Sequence, residues 1–163
     1  MNYVHGFGEM LRHLSELVDK GSEKTYPDLP VNYRSRYTPV LRAIVAGATT
    51  VSEIKSMSFL TQGAVSQTVA LMEQDGIIER EPMKDGRKNA LQLTLDGRIA
   101  LSRLELHWQA IFLSVSWLDK RDKCSLMEAL ERRINALSKK SVEERIREAK
   151  AELQKREGEK HAR

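Results

Sequence analysis

The feature that most constrains the fold is the dipeptide Asp85-Gly86, which stands between two short runs of strand-forming residues. Asp-Gly favours the two positive φ angles of a type I′ turn. Residues 77–82 and 89–94 are therefore predicted to pair as an antiparallel hairpin that turns at this dipeptide.

The predicted hairpin has one apolar side and a basic tip. Its second run alternates, so one side is predicted to pack on a core, with three leucines pointing the same way: Leu91, Leu93 and Leu95. Lys84, Arg87 and Lys88 surround the turn, where they repel one another unless an anion lies opposite. The hairpin alone leaves two interpretations open, an anion-binding tip or an ordinary solvated turn.

Three helix signals precede the hairpin. Pro39 is suited to the first turn of one helix, and Thr50 with Glu53 forms a capping box at the start of the next. Thr61 is a candidate N-cap for a third helix, which is predicted to end at Gly76 and to bury one apolar side: Val65, Val69 and Met72. Two short helices with a tight connection and then a hairpin predict a winged helix-turn-helix, whose second helix enters a DNA major groove.

Amphipathic helices are predicted on both sides of this unit. Residues 2–20 have an apolar stripe that is predicted to end at Gly21-Ser22, and a long helix is predicted from Gly97. Another helix is predicted near Ser125, followed by a solvated helical tail at 141–163. The apolar stripes are suited to a two-fold interface, although they could also pack within one chain as a helical bundle.

The predicted fold is therefore mainly α with a small β-hairpin wing, a winged helix-turn-helix with N- and C-terminal dimerisation helices. The N-terminal helix and link occupy residues 1–38, and the DNA-binding domain occupies residues 39–98. The C-terminal dimerisation helices and the solvated tail occupy residues 99–163.

The segment TVSEIKSMSFLTQGAVSQTVALMEQDGIIEREPMKDGRKNALQLTLDGR, residues 50–98, resembles the DNA-binding core of the MarR-type (multiple antibiotic resistance) regulators. The resemblance rests on the combined pattern: the helix near Ser52, the ending Glu-Gln-Asp-Gly-Ile-Ile, the Asp85-x-Arg87 wing and the following Leu-Thr-Leu-Asp-Gly-Arg. It implies a cytoplasmic homodimer that represses transcription by binding palindromic operators in double-stranded DNA. Members are often released from DNA by a small ligand or an oxidant.

The candidate DNA-binding residues lie on the second helix of the motif, on the preceding helix and in the wing: Thr61, Gln62, Gly63, Ser66, Gln67, Thr68, Lys55, Lys84, Asp85, Arg87 and Lys88. Glutamine can bond bidentately to adenine, and serine can reach base edges or phosphate. The family pattern implies that Asp85 holds Arg87 toward the minor groove or a phosphate; a structural ion pair is the alternative.

Cations are missing from the predicted recognition helix, since no Lys or Arg lies between Lys55 and Arg80. Phosphate neutralisation is therefore expected to come from outside this helix: Lys55, Arg80, Lys84, Arg87 and Lys88. The alternative function is a winged-helix protein-protein interaction module that uses the same polar helix on another protein.

The remaining candidate sites carry less information. The family suggests an effector pocket near Tyr33, Tyr37, His107 and Trp108, and no cofactor or metal site is expected. Cys124 could be a redox sensor, although a small partly buried cysteine is the preferred interpretation. The chain has no recognised catalytic motif and is not expected to be an enzyme.

Charge and hydropathy agree with this assignment. The net charge of +4 and the pI near 9.2 are compatible with nucleic acid. No apolar run reaches the roughly 20 residues that a membrane span requires. The first residues lack the apolar core of a signal peptide, so a cytoplasmic location is expected.

Overall fold

Helices account for most of the chain in the structure, a computed structural model that describes residues 4–82, 89–119 and 125–161. The elements in chain order are α1 (Phe7–Glu23), a 3-10 turn (Ser35–Tyr37), α2 (Thr38–Val45), α3 (Val51–Met57), α4 (Gln62–Gln74), β1 (Ile78–Pro82), β2 (Asn89–Leu93), α5 (Leu95–Leu118), α6 (Leu126–Lys139) and α7 (Val142–His161). The chain divides into two compact units, residues 1–111 and 112–163. The prediction of a mainly helical winged helix-turn-helix is confirmed.

The core of the first unit lies between α2, α3, α4, the hairpin and the start of α5. Its side chains are almost completely inaccessible to solvent: Tyr37, Val40, Leu41, Ile54, Val65, Val69, Met72, Ile77, Ile78, Leu91, Ala100 and Leu104. All three residues predicted for the buried side of the second helix of the motif belong to this core. Burial of these large apolar groups is the main favourable contribution to the stability of the unit.

The predicted helix boundaries in the motif are confirmed by specific hydrogen bonds. The Thr50 hydroxyl accepts from the Glu53 amide at 3.2 Å, and the Thr61 hydroxyl accepts from the Ala64 amide at 3.2 Å. Gly76 follows α4 with φ of +71°, a left-handed conformation that glycine adopts without steric cost. Each short helix is thus fixed at the end where its orphan backbone groups need a partner.

The predicted hairpin is confirmed in its antiparallel register, in which Ile78 pairs with Leu93 and Pro82 pairs with Asn89. The prediction for Leu95 is wrong, because this residue begins α5 and its side chain is 67% exposed. The alternation ends at Thr94, whose hydroxyl accepts from the Gly97 amide at 2.9 Å. The helix therefore begins before Gly97, its predicted first residue.

Gly97 allows α5 to approach the end of α4 closely. A Cβ atom at this position would lie 2.0 Å from the carbonyl oxygen of Ile77, far inside van der Waals contact. The Thr94 hydroxyl also donates to the Gly76 carbonyl at 2.6 Å. The segment entering β1 and the segment entering α5 are thus held together by the Thr94 side chain and by a close approach at Gly97 that only glycine permits.

Helix α1 extends beyond its predicted end. Gly21 and Ser22 are helical, because the Ser22 hydroxyl donates to the Asp19 carbonyl at 2.9 Å and Gly21 does not adopt a positive φ. The apolar stripe of α1 is largely exposed: Phe7, Met10, Leu11, Leu14, Leu17 and Val18. The apolar side chains of α1 are therefore largely exposed to solvent in the single chain, whereas those of α2 to α4 are mostly buried.

The second unit contains α6 and α7, each with a capping box. Ser125 accepts from the Glu128 amide at 3.1 Å, and Ser141 accepts from the Glu144 amide at 3.2 Å. Both predicted starts are confirmed. No residue of α6 is buried, and the described side chains of α7 are exposed, as expected for a solvated tail. Across 4–82, 89–119 and 125–161, no helix is long and apolar enough to cross a membrane.

Candidate nucleic-acid interface

Helix α4 presents an uncharged polar face to solvent. The exposed residues begin directly after the Thr61 cap: Gln62, Gly63, Ser66 and Gln67. Because the opposite side of α4 is buried in the core, the rotation of the helix about its axis is fixed. Amide and hydroxyl groups on such a face have the donors and acceptors needed to read base edges.

Thr68 does not belong to this face, and the prediction that it is exposed is wrong. Its side chain is only 3% accessible. Thr68 lies three residues after Val65 and four before Met72, which places it on the same side of the helix as these two core residues. Its hydroxyl therefore faces the protein interior, and the candidate DNA-binding face of α4 consists of the other predicted positions.

Helix α3 is held in place at its first turn. The Glu53 carboxylate accepts from the Thr49 amide at 2.7 Å and from the Thr50 amide at 3.0 Å. These hydrogen bonds, that from Thr49 first, lower the pKa of Glu53. The Leu91 amide donates to the Thr49 carbonyl at 2.8 Å, which ties the wing to the same turn. Lys55, the predicted phosphate contact of α3, is exposed.

The predicted wing contacts Lys84, Asp85, Arg87 and Lys88 lie outside the described residues, so they stay predictions. Arg80, at the base of the wing, is described. Its guanidinium donates to both carboxylate oxygens of Glu73 on α4, at 2.7 Å and 3.3 Å. The expected contact of Arg80 with DNA phosphate stays a prediction, and Glu73 partly neutralises this charge in the free chain.

The turn before α2 brings two further arginines to α4, and the sequence did not indicate either contact. Arg36 Nη2 lies 3.5 Å from the Oε1 of Gln67, in the middle of the exposed face. Arg34 Nε lies 3.4 Å from the Asp75 carboxylate, at the end of the helix. These pairs are separated by 31 and 41 positions, and no local pattern connects residues so far apart.

The four residues suggested for an effector pocket lie in an aromatic region of the first unit. The Tyr33 and Tyr37 ring centroids are 6.0 Å apart, and Trp108 packs against the core. Tyr26, which the sequence analysis missed, joins Tyr33 to His107, with centroid separations of 5.2 Å and 5.0 Å. The structure thus brings the predicted residues together around an additional tyrosine.

Burial dominates the electrostatics of this region. It raises the pKa of Tyr33 strongly, and together with the hydrogen bond that Tyr37 donates to Asp75 at 2.5 Å it raises the pKa of Tyr37 to about 12. Burial lowers the pKa of His107, which favours the neutral imidazole. These three rings are therefore uncharged at neutral pH, while the Asp75 carboxylate and the Arg34 guanidinium lie beside Tyr37.

Two polar atoms in this region lack a hydrogen-bond partner. The Nε2 of His107 and the Nε1 of Trp108 are both buried, and neither makes a hydrogen bond of good geometry with a described residue, although Trp108 lies close enough to the Tyr33 hydroxyl to affect its pKa. A buried polar atom without a partner carries a desolvation cost of about 1 to 3 kcal/mol. A ligand with an acceptor beside Trp108 and a complementary polar group beside His107 would remove that cost.

The other candidate groups do not form a site. Within the described parts of the chain, no cluster of three or more His, Cys, Asp or Glu side chains is placed to hold a metal ion. Cys124 lies outside the described residues. The described groups on the exposed face of α4 offer hydrogen bonding, and the neighbouring arginines offer charge.

Residues 31–88 match the family model described as the MarR family, which confirms the resemblance drawn from the sequence. This match covers α2, α3, α4, β1 and the turn before α2. A search of curated protein sequences finds no match.

Several solved structures share the fold. The PcaV transcriptional regulator of Streptomyces coelicolor, in complex with its natural ligand, is 18% identical, with a TM-score of 0.67 over 85% of this chain and 99% of that chain. Bordetella bronchiseptica BpsR, whose DNA binding is regulated by 6-hydroxynicotinic acid, is 17% identical, with a TM-score of 0.62 over 85% of this chain and 98% of that chain. The TM-scores show that the fold is shared, and at these identities the likeness extends to the fold alone.

A third similar structure contains DNA. The transcriptional regulator MOSR of M. tuberculosis, in complex with DNA, is 16% identical, with a TM-score of 0.56 over 80% of this chain and 88% of that chain. At this identity the likeness shows a shared fold.

Proposed function

We propose that this chain, whose residues 31–88 match the MarR family, is a sequence-specific DNA-binding transcription regulator that acts as a homodimer and represses palindromic operators. The observation that carries the proposal is the polar face of α4, held outward by the Thr61 cap and by the buried opposite side. In a winged helix-turn-helix this helix is the one that enters the major groove. We propose a cytoplasmic location, where such a protein would meet its DNA.

The proposed roles at the interface differ along the chain. Gln62, Ser66 and Gln67 would contact base edges, and Gly63 would let the backbone approach a phosphate. The wing cations Lys84 and Lys88 and Lys55 on α3 would contact the sugar-phosphate backbone on either side, which supports affinity without reading sequence. Asp85 would hold Arg87, whose guanidinium would reach the minor groove or a neighbouring phosphate.

We propose the homodimer because α1 and α6 expose apolar stripes that a second copy could cover. Half or more of the side chain is exposed at Phe7, Met10 and Leu17 of α1. A two-fold symmetric protein would also explain a palindromic operator, since each subunit would read one half-site.

We further propose a small-molecule effector in the aromatic region around Tyr33, Tyr37, His107 and Trp108. Support comes from the buried nitrogen atoms of His107 and Trp108 and from the clustered aromatic rings, which suit an aromatic ligand with polar substituents. PcaV and BpsR are structurally similar proteins solved or studied with small ligands.

Selection of bound duplexes from a random DNA pool tests this function directly. The expected result is enrichment of one palindromic site, bound with an affinity that falls as salt rises. Binding that is equal for all sequences, or absent, would instead favour a winged-helix module that binds another protein. The exposed face of α4, which has no positive charge, is the feature that favours this second function.

Gln67→Ala tests whether α4 reads bases. It is expected to relax the preference at one symmetric pair of positions, with a loss of about 1 to 3 kcal/mol per bidentate contact. Gln74→Ala is a matched control, because Gln74 is also an exposed glutamine of α4 but lies at its far end. Equal weakening on every duplex would make Gln67 a backbone contact.

A further inference from the structure

The recognition helix has no positive charge of its own. From Gln62 to Gln74, α4 contains no Lys or Arg and one carboxylate, Glu73. DNA that entered alongside this face would place its phosphates next to a helix that offers them hydrogen bonds but no counter-charge. Affinity for DNA depends strongly on such counter-charges.

Arg36 brings a cation to this face from the turn before α2. Its side chain is exposed, and its Nη2 lies 3.5 Å from Gln67 Oε1. The backbone is held on both sides of Arg36, because the Ser35 hydroxyl donates to Glu23 at 2.9 Å and the Tyr37 ring is buried. The guanidinium is thus presented beside the proposed base-reading glutamine by a fixed stretch of chain.

Two other arginines near α4, Arg34 and Arg80, are already paired. Arg34 lies against the Asp75 carboxylate, and Arg80 donates to both oxygens of Glu73. Arg36 contacts a neutral amide, and no ion pair joins it to a carboxylate within the described ranges. Its charge therefore remains available to an external anion.

We propose that Arg36 is a DNA-binding residue, which rests on the proposed function and extends it to the turn before α2. Its guanidinium contacts a backbone phosphate next to the base pairs that α4 faces, while one of its five donors remains on Gln67. The contact supplies the positive charge that α4 lacks. In a dimer, each operator would receive one such contact per half-site.

The test compares Arg36→Ala with Arg34→Ala, which removes an arginine two positions away whose charge is paired with Asp75. Binding is measured by fluorescence anisotropy across a salt series, on a duplex carrying the selected site and on a scrambled duplex of equal length. For a dimer, Arg36→Ala is expected to make the slope of log K against log salt shallower by about two units and to weaken both duplexes. Arg34→Ala is expected to leave that slope unchanged.

Two further variants separate charge from fold and from positioning. Arg36→Lys retains the charge and is expected to keep the wild-type slope, whereas Arg36→Gln is expected to reproduce the shallower slope. A thermal melt of each variant verifies folding. If Arg36→Ala changed only the sequence preference at the Gln67 positions and left the slope intact, Arg36 would merely position Gln67 and the proposal would be overturned.

Failure of this inference is distinguishable from failure of the proposed function. Wild-type protein that binds the selected duplex, together with an unchanged slope in Arg36→Ala, would overturn the role of Arg36 alone. Wild-type protein that binds no duplex would overturn both.

Discussion

The winged domain and the terminal helices have similar amphipathic patterns but bury them to very different extents. Val40 and Leu41 of α2 are completely buried, whereas Leu17 of α1 is 57% exposed and Ile134 of α6 is 41% exposed. The domain therefore completes its core within one chain, and the terminal helices do not. An apolar stripe in the sequence indicates that one face of a helix is buried in the functional protein. It does not indicate whether that face packs against the same chain or against another.

The largest expected difference between the two regions is the cost of truncating a leucine. Leu41→Ala should lower the free energy of unfolding by about 2 to 5 kcal/mol, because it removes a fully buried side chain and leaves a cavity. Leu17→Ala should cost less than about 0.5 kcal/mol at dilute, monomeric concentrations, since its side chain is already exposed. Urea unfolding of both variants over a range of protein concentrations measures this. Equal costs in the dilute limit would mean that α1 is covered within the chain.

A pair of glycines sharpens the comparison inside the domain. Gly97→Ala should destabilise the protein by about 1 to 3 kcal/mol or more, because the new Cβ would meet the Ile77 carbonyl. Gly63→Ala, on the exposed face of α4 with open space around it, should stabilise the helix by up to about 1 kcal/mol. Thermal melts distinguish the two. A neutral Gly97→Ala variant would show that α5 does not approach Ile77 closely.

One cap from each region, Thr50 in the winged domain and Ser141 in the C-terminal helices, allows the same comparison with a smaller expected effect. Thr50 and Ser141 each accept an amide hydrogen bond at 3.2 Å, from Glu53 and Glu144. Thr50→Ala should lower the unfolding free energy by about 1 kcal/mol, because α3 packs in the core. Ser141→Ala should reduce the helical circular dichroism signal and leave the melting temperature of the domain unchanged. A shift of that temperature by Ser141→Ala would show that α7 contributes to the folded core.

The smallest expected effect is a pH dependence within the aromatic region. Burial lowers the pKa of His107 below its ordinary value of 6.5. Well above pH 6.5 the His107 imidazole is neutral in both the folded and the unfolded protein. As the pH falls through 6.5, the imidazole of the unfolded protein takes up a proton before that of the folded protein. The free energy of unfolding should therefore fall as the pH drops. Melts between pH 8 and pH 5 should show this loss, and His107→Phe should diminish it. An identical profile in both proteins would exclude His107 as the cause.

Sequence reasoning located the winged helix-turn-helix because its signals are local. The caps at Thr50 and Thr61 and the left-handed Gly76 depend on residues within four positions of one another, and all three are confirmed. The spacing of apolar residues correctly predicted which face of α4 is buried. Thr68 is the exception, because its polar side chain suggested exposure although its position on the helix places it in the core. Polarity alone does not fix the direction of a threonine.

The omissions involve contacts between side chains of different elements. Arg80 of β1 pairs with Glu73 of α4, and the approach of Arg36 to Gln67 spans 31 positions. Tyr26 joins the aromatic region only because the link between α1 and α2 folds back onto α5 near His107. Tertiary packing decides such contacts, and no periodicity in the sequence encodes them.

The dependence of the terminal helices on a second chain is tested most directly by sedimentation equilibrium at micromolar concentration. The account predicts a wild-type mass of twice 18.6 kDa, and a mass of 18.6 kDa for Ile134→Glu, which places a charge in the exposed apolar stripe of α6. Glu131→Lys, at an exposed polar position of the same helix, should retain the wild-type mass. Wild-type protein that sediments at 18.6 kDa at every concentration would contradict the account.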